Sequence, residues 1–228
     1  LAATKNLSLA AETIDQTGPV TVPGTTSLTA GAANPVTLDS FTNNFVGAVT
    51  VLSASSVTID DANAITFGSI SAAGAVDIDA GGNVTLNGAL TGATTVDITS
   101  DANASNNGTI DVNAKITASG VVSLDADGSI TIDAAIDPTT VNLDADDDVT
   151  VNAAVVATTA INVRAGNNDG TGNATISGTG SLLTSAAGSD VLIQSGATTG
   201  LISLVGNVTA VDRLSLTSNG TGNISQTG

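Results

Sequence analysis

The chain has 228 residues and a formal net charge of −17, with 21 acidic residues and only Lys5, Lys115, Arg164 and Arg213 as cations. Four scattered cations cannot neutralise a run of phosphates, which argues against nucleic acid and against electrostatic docking on an anionic membrane. Hydrophobic residues reach 41% while aromatics are only 1%, which argues against disorder from low hydrophobicity and requires a core of small aliphatic side chains.

From the start of the chain, short apolar–polar–apolar triplets recur. Leu7 (LSL), Leu28 (LTA) and Val49 (VTV) stand 21 residues apart, and Val36 (VTL) precedes Val57 by 21. From Val57 the rhythm sharpens. One series begins at Val57, Val76, Val96, Val122, Val141 and Ile161, with steps of 19, 20, 26, 19 and 20. A second begins at Ile65, Val84, Ile110, Ile130 and Val149, each 8 residues after its partner except Ile110, which follows by 14. A third, weaker series is Ile70, Leu90, Ile116, Ile136 and Val155. Alternation of this kind marks half-buried strands, and Gly, Asn, Asp and Ser fall between the series where turns are needed.

Three short strands per lap and a lap of about 20 residues predict an all-β fold: a three-sided parallel β-helix, or β-solenoid, of about 11 coils. Right-handed is the usual hand of parallel connections. One coil cannot bury its apolar side alone, but stacked coils bury a continuous core. Val76, Val96, Val122, Val141 and Ile161 are expected to form one inward ladder, and Ile78, Ile98, Leu124, Leu143 and Val163 its neighbour. A β-sandwich is the structural alternative, and it requires antiparallel pairing of successive strands.

Two surpluses interrupt the period, "TSDANASNNGT" and "RAGNNDGTGNATISGTG". They predict loops protruding near 99–109 and 164–190, where insertion is cheap because closure entropy grows slowly with length. No composition shift divides the chain, so 1–228 reads as one continuous solenoid segment. "LSLTSNGTGNISQTG" at Leu214 echoes "LSLAAETIDQTG" at Leu7, which predicts a superrepeat of about 210 residues within a longer tandem array. "LAATKNLSLAAE" lacks the charged start and apolar core of a signal peptide, and no apolar run approaches the roughly 18 residues of a membrane helix.

Most of the chain, by its phrases "AANPVTLDSFTNNFVGAVTV", "VTIDDANAITFGS" and "VDIDAGGNVTLNGAL" and in its later coils by general style, resembles the repeat regions of large bacterial exoproteins of the filamentous-haemagglutinin-like type. The resemblance implies a right-handed parallel β-helix, export to the cell surface or beyond, and an adhesive or fibre-forming role. The family's amino-terminal secretion domain has no counterpart in these residues.

Chemistry-bearing residues are few in kind. Without histidine or cysteine, no Ser–His or Cys–His arrangement can exist, and disulfides, zinc ribbons and haem attachment are excluded. Aspartate is plentiful, but isolated cations and missing aromatic platforms argue against glycoside hydrolysis or lyase chemistry. Asp144, Asp146, Asp147 and Asp148, with Asp125 and Asp127 one coil earlier, read as solvated turns; calcium, which takes six to eight oxygens, is the minority reading. The outward rows Asp77, Asp97, Ser123, Asn142, Asn162 and Asp79, Thr99, Asp125, Asp144, Arg164 read as stacking chemistry, with Ser and Asn relieving repulsion. Thr66, Thr85, Thr131 and Thr150 form one outward row, broken by Asp111, where an ice-binding face needs a broad, paired array. Asn-X-Ser/Thr triplets at Asn6, Asn83, Asn103, Asn107, Asn173, Asn207, Asn219 and Asn223 are weak glycosylation signals.

No catalytic, cofactor-binding or metal-ligating residue is assigned, and no cofactor is expected. The expected role is a stalk or fibre segment of an extracellular bacterial adhesin or matrix filament. Expected partners are neighbouring repeats, like fibres laterally, or a host or cell-surface ligand, with no membrane insertion. The alternative is a binding module whose inserted loops recognise a receptor or glycan.

Overall fold

The computed structural model describes residues 1–101, 107–167, 170–219 and 221–227. Among them there is no helix, and the strands assemble into sheets of 17, nine and two strands. Every strand pairing is parallel, between segments about 21 residues apart, in about 10 turns of a β-solenoid.

The register follows the aliphatic triplets. In the nine-stranded sheet Val57 pairs with Val76, Val76 with Val96, Val96 with Val122, Val122 with Val141 and Val141 with Ile161. Val36 opens this first stack, and Val191 and Leu214 continue it. The second ladder, Ile59, Ile78, Ile98, Leu124, Leu143, Val163, is equally in register and buried to within 1%. The next inward position, at the corner, holds Asp61 in the lowest of these coils and then the small residues Ala80, Ser100, Ala126, Ala145 and Ala165 where the backbone turns.

The 17-stranded sheet contains two further stacks. Ile65, Val84, Ile110, Ile130 and Val149 pair in sequence, as do Ile70, Leu90, Ile116, Ile136 and Val155. The strand Ile65–Ala72 runs through both and joins them. One apolar cluster extends from Ile14 to Leu204. Each fully buried aliphatic side chain in it stabilises the fold by roughly 1.5–3 kcal/mol.

Three expectations change. The segment 164–190 is not one protruding loop. It contains strands Ala174–Ile176 and Ser181–Thr184, which pair with Val149–Val151 and Ala154–Ala157 and continue the second and third stacks. Ala174, Ile176, Leu182 and Thr184 are buried; residues 168–169 of the predicted loop lie outside the described residues. At the amino end the spacing of 21 linking Leu7, Leu28 and Val49 is not the pairing: Leu9 lies on Leu28 and Leu28 on Val51, while Thr26 stands between Leu7 and Val49. That register puts Leu28 and Val51 in the core, with Thr26 buried beside them. Finally, the lap averages about 21 residues and not 20, which gives about 10 turns instead of 11. Of the predicted loop 99–109, residues 102–106 lie outside the described residues; at its base Ser100 Oγ donates to the Gly108 carbonyl at 2.8 Å.

Glycine marks corners where coils touch backbone to backbone. A Cβ on Gly200 would strike the Gly172 carbonyl beneath it, and one on Gly222 would strike that of Gly200. The three stack because none has a side chain.

Candidate functional site

The outward side of the first stack carries most of the chain's unusual chemistry. Alternation turns Val and Ile inward and polar residues outward. Asp77 and Asp97 are thus aligned, followed upward by Ser123, Asn142 and Asn162. The adjacent row is Asp60, Asp79, Thr99, Asp125, Asp144 and Arg164. Between them lies a shallow concavity of about 390 Å³, lined by residues from Asp97 to Arg164.

The two rows solve the same problem differently. Like charges about 4.8 Å apart repel by roughly 3–4 kcal/mol at an effective dielectric of 20. In the upper part of the first row neutral amides replace carboxylates: Asn162 Nδ2 donates to Asn142 Oδ1 at 2.9 Å, and Asn142 Nδ2 to Ser123 Oγ at 3.2 Å. In the second row Arg164 lies 3.6 Å from Asp144. Lower down neither remedy is present. Burial first, then neighbouring carboxylates, pushes Asp77, Asp97 and Asp125 above the usual carboxylate range. Asp144 is raised by burial despite Arg164.

Asp60 is the extreme case. It is only 6% exposed. Burial, reinforced by Asp79, Asp39 and Asp77, pushes its carboxyl up to about 6. Its neighbour Asp61 faces inward at the corner, fully buried, where the coils above carry Ala80 and Ser100. Asp61 is provided for: its carboxylate accepts from the Phe45 amide at 2.6 Å and the Asn63 amide at 2.8 Å. Burial still raises its carboxyl overall. Beneath it, buried Asn43 ties three coils together, donating to the Leu38 and Asp60 carbonyls and accepting from the Val20 amide.

The turn Asp144–Asp148 does not gather its carboxylates on one point. Asp147 accepts from Asn107 Nδ2 at 3.1 Å, and Asp148 from the amide and side chain of Asn173. Asp127 is pushed up by burial, then by Asp146 and Asp101. Among the described residues no three acidic groups converge to hold a metal ion.

The threonine row is present as a single file: Thr66, Thr85, Asp111, Thr131, Thr150, continued by Thr175 and Ser203. Several triplet asparagines are engaged within the stack. Asn6, Asn83 and Asn173 each accept from a backbone amide of the next coil, at Thr25, Thr109 and Leu201. Asn103 lies outside the described residues.

Sequence reasoning found both outward rows but began them at Asp77 and Asp79, and missed Asp60, Asp61 and Asn43. The signal available was the pair "DD" at 60–61, which breaks alternation on a strand whose other laps end in one outward residue and a small corner residue. Chemically, the strip offers negative charge in lines along the stacking direction. It brings no nucleophile up against a base.

Residues 1–52 and 54–104 are similar to a family described as repeats of unknown function (DUF5649). Nothing matches among curated proteins or among solved structures.

Proposed function

We propose that the chain is a rod-forming segment of a large extracellular bacterial protein of the filamentous-haemagglutinin-like type, serving as stalk or fibre in adhesion or a surface matrix. The observation that carries this reading is the unbroken register from Val57 through Ile161, in which each coil rests on the one before. About ten turns at about 4.8 Å each give a stiff rod roughly 50 Å long. Its rigidity comes from continuous backbone hydrogen bonding and aliphatic ladders. The acidic outer surface keeps such an object soluble and self-repelling.

The test is a replacement in the parent protein on intact cells. An unrelated β-solenoid of equal length, put in place of this segment, should restore adhesion or matrix formation, and surface label on the segment should be removed by external protease. Loss of adhesion despite normal display would overturn the stalk reading. So would label that remains inside the cell.

A further inference from the structure

We propose that the last coil of this chain is a docking face for the first coil of a second copy, so that copies stack head to tail with Val208 of one on Leu9 of the next. The inference rests on the strand register and not on the stalk reading, and its failure would leave that reading untouched.

Both terminal coils carry the unfinished half of the contact that every inner coil makes twice. Among the described residues, Asn207–Thr209, Arg213–Ser218 and Ile224–Gln226 each pair only with the coil below, and Leu7–Ala10 and Ile14 only with the coil above. Burial changes accordingly within single columns. Val191 and Ile202 are fully buried, but Leu214 and Ile224, which lie on them, are 43% and 49% exposed. At the amino end the core opens into a cavity of about 290 Å³ walled by Leu1, Leu9, Val20 and Leu38. One end thus presents apolar side chains and the other an apolar recess.

The backbone gives the contact a direction. Inward residues donate to the carbonyl just before their partner in the next coil: Val57 to Ala75, Val76 to Thr95, Ile202 to Asn223. By that rule the amides of Val208, Leu214 and Ile224 point out of the last coil, toward carbonyls on the under edge of a first coil. Asn83 and Asn173, each just before a second-stack strand, accept from amides of the coil above, at Thr109 and Leu201. Asn223 holds the same place before Ile224, ready for a further coil. The third stack runs from Leu9 through Leu28 and Val51 at one end and from Val155 through Leu182 to Val208 at the other, so Val208 on Leu9 continues it. Two last coils would meet donor edge to donor edge.

Charge favours the ends over the sides. Of a net charge of −17, the first 20 residues carry one cationic and two acidic side chains, and the last 28 one of each. The flanks repel one another while the ends do not. A contact between two different faces does not close on itself and builds an open filament.

Sedimentation velocity at low ionic strength, where lateral packing is suppressed, tests this on the 228-residue chain. Mass should climb with concentration in steps of 21.9 kDa. Leu9→Lys and Leu214→Lys should each stay at the single-chain mass, and their mixture should form a dimer and nothing larger, because each lends its intact end. Circular dichroism reports folding of both. Register is read independently by cysteine pairs, since neighbouring strands about 4.8 Å apart fall within disulfide reach. Oxidised Leu9→Cys/Val208→Cys should give a ladder of multimers on a non-reducing gel, and Leu9→Cys/Leu214→Cys should not. A single-chain mass at every concentration would overturn the proposal. So would association that survives either lysine substitution alone, or equal ladders from the two cysteine pairs.

Discussion

At Asp60 the cost of a buried carboxylate becomes measurable. Its folded-state pKa of about 6 lies above the ordinary value of 3.8. Between those values the folded chain holds a proton that the unfolded chain has released, so stability falls as pH rises through the folded pKa. Below about pH 4 the group costs nothing; above about 6 the penalty is present in full, reduced by whatever solvent reaches the carboxylate. Asp77, Asp97, Asp125 and Asp144 are shifted in the same direction and reinforce the trend, more weakly because solvent screens them. The urea midpoint should therefore be higher at pH 5 than at pH 7.5. Asp60→Asn should raise stability at pH 7.5 by about 1–2 kcal/mol and much less at pH 5. Identical effects at the two pH values would mean that Asp60 is not held protonated at the lower one. Asn43 shows the contrary arrangement: a buried polar side chain in register with donors and acceptors from three coils, stabilising because every group on it is used.

At the scale of the strand, the alternation of inward and outward residues governs burial and cost. Leu124 stands inward between Ile98 and Leu143 and is 1% exposed, whereas Ser123 beside it faces out. Leu124→Ala should destabilise by about 2–5 kcal/mol through lost burial and a cavity that stacked backbone cannot close. Ser123→Ala should change stability by about 0.5–1 kcal/mol, mostly from the lost hydrogen bond to Asn142. Chemical denaturation of the two variants checks this, and equal losses would contradict the register. The same alternation made the fold readable between Val57 and Val163, where each triplet repeats β-branched or leucine residues at a nearly fixed step. It failed at 164–190 because Ala174 takes the place that Val or Ile holds in the earlier laps and because glycine and asparagine surround the strand. It failed at the amino end because Thr26, a polar residue, occupies an inward position there. The acidic strip was legible only in part. Periodicity reveals which carboxylates align, but the depth at which Asp60 lies depends on packing that no repeat pattern encodes.

For the molecule as a whole, stacking makes stability a sum over neighbouring coils, so a complete lap is removable in a way that part of a lap is not. Ile130 pairs with Ile110 below and Val149 above. Deleting residues 130–148 therefore brings Val149 onto Ile110, Val141's place is taken by Ile161 against Val122, and Leu124 meets Val163. The same excision sets Asp125 beside Arg164, since Asp144 links the two in the intact stack, and so removes a carboxylate–carboxylate contact while Arg164 changes one carboxylate partner for another. The shortened chain should keep its β-type circular dichroism and cooperative unfolding, and X-ray scattering should show a particle shorter by about 4.8 Å. Deleting only residues 130–139 removes half a lap. It would set first-stack residues against second-stack positions, turn inward side chains outward and leave buried amides without partners, and that chain should fail to fold. If both deletions were tolerated equally, or the full-lap deletion abolished folding, the coils would not be the independent, interchangeable units that the register from Val57 to Ile161 requires.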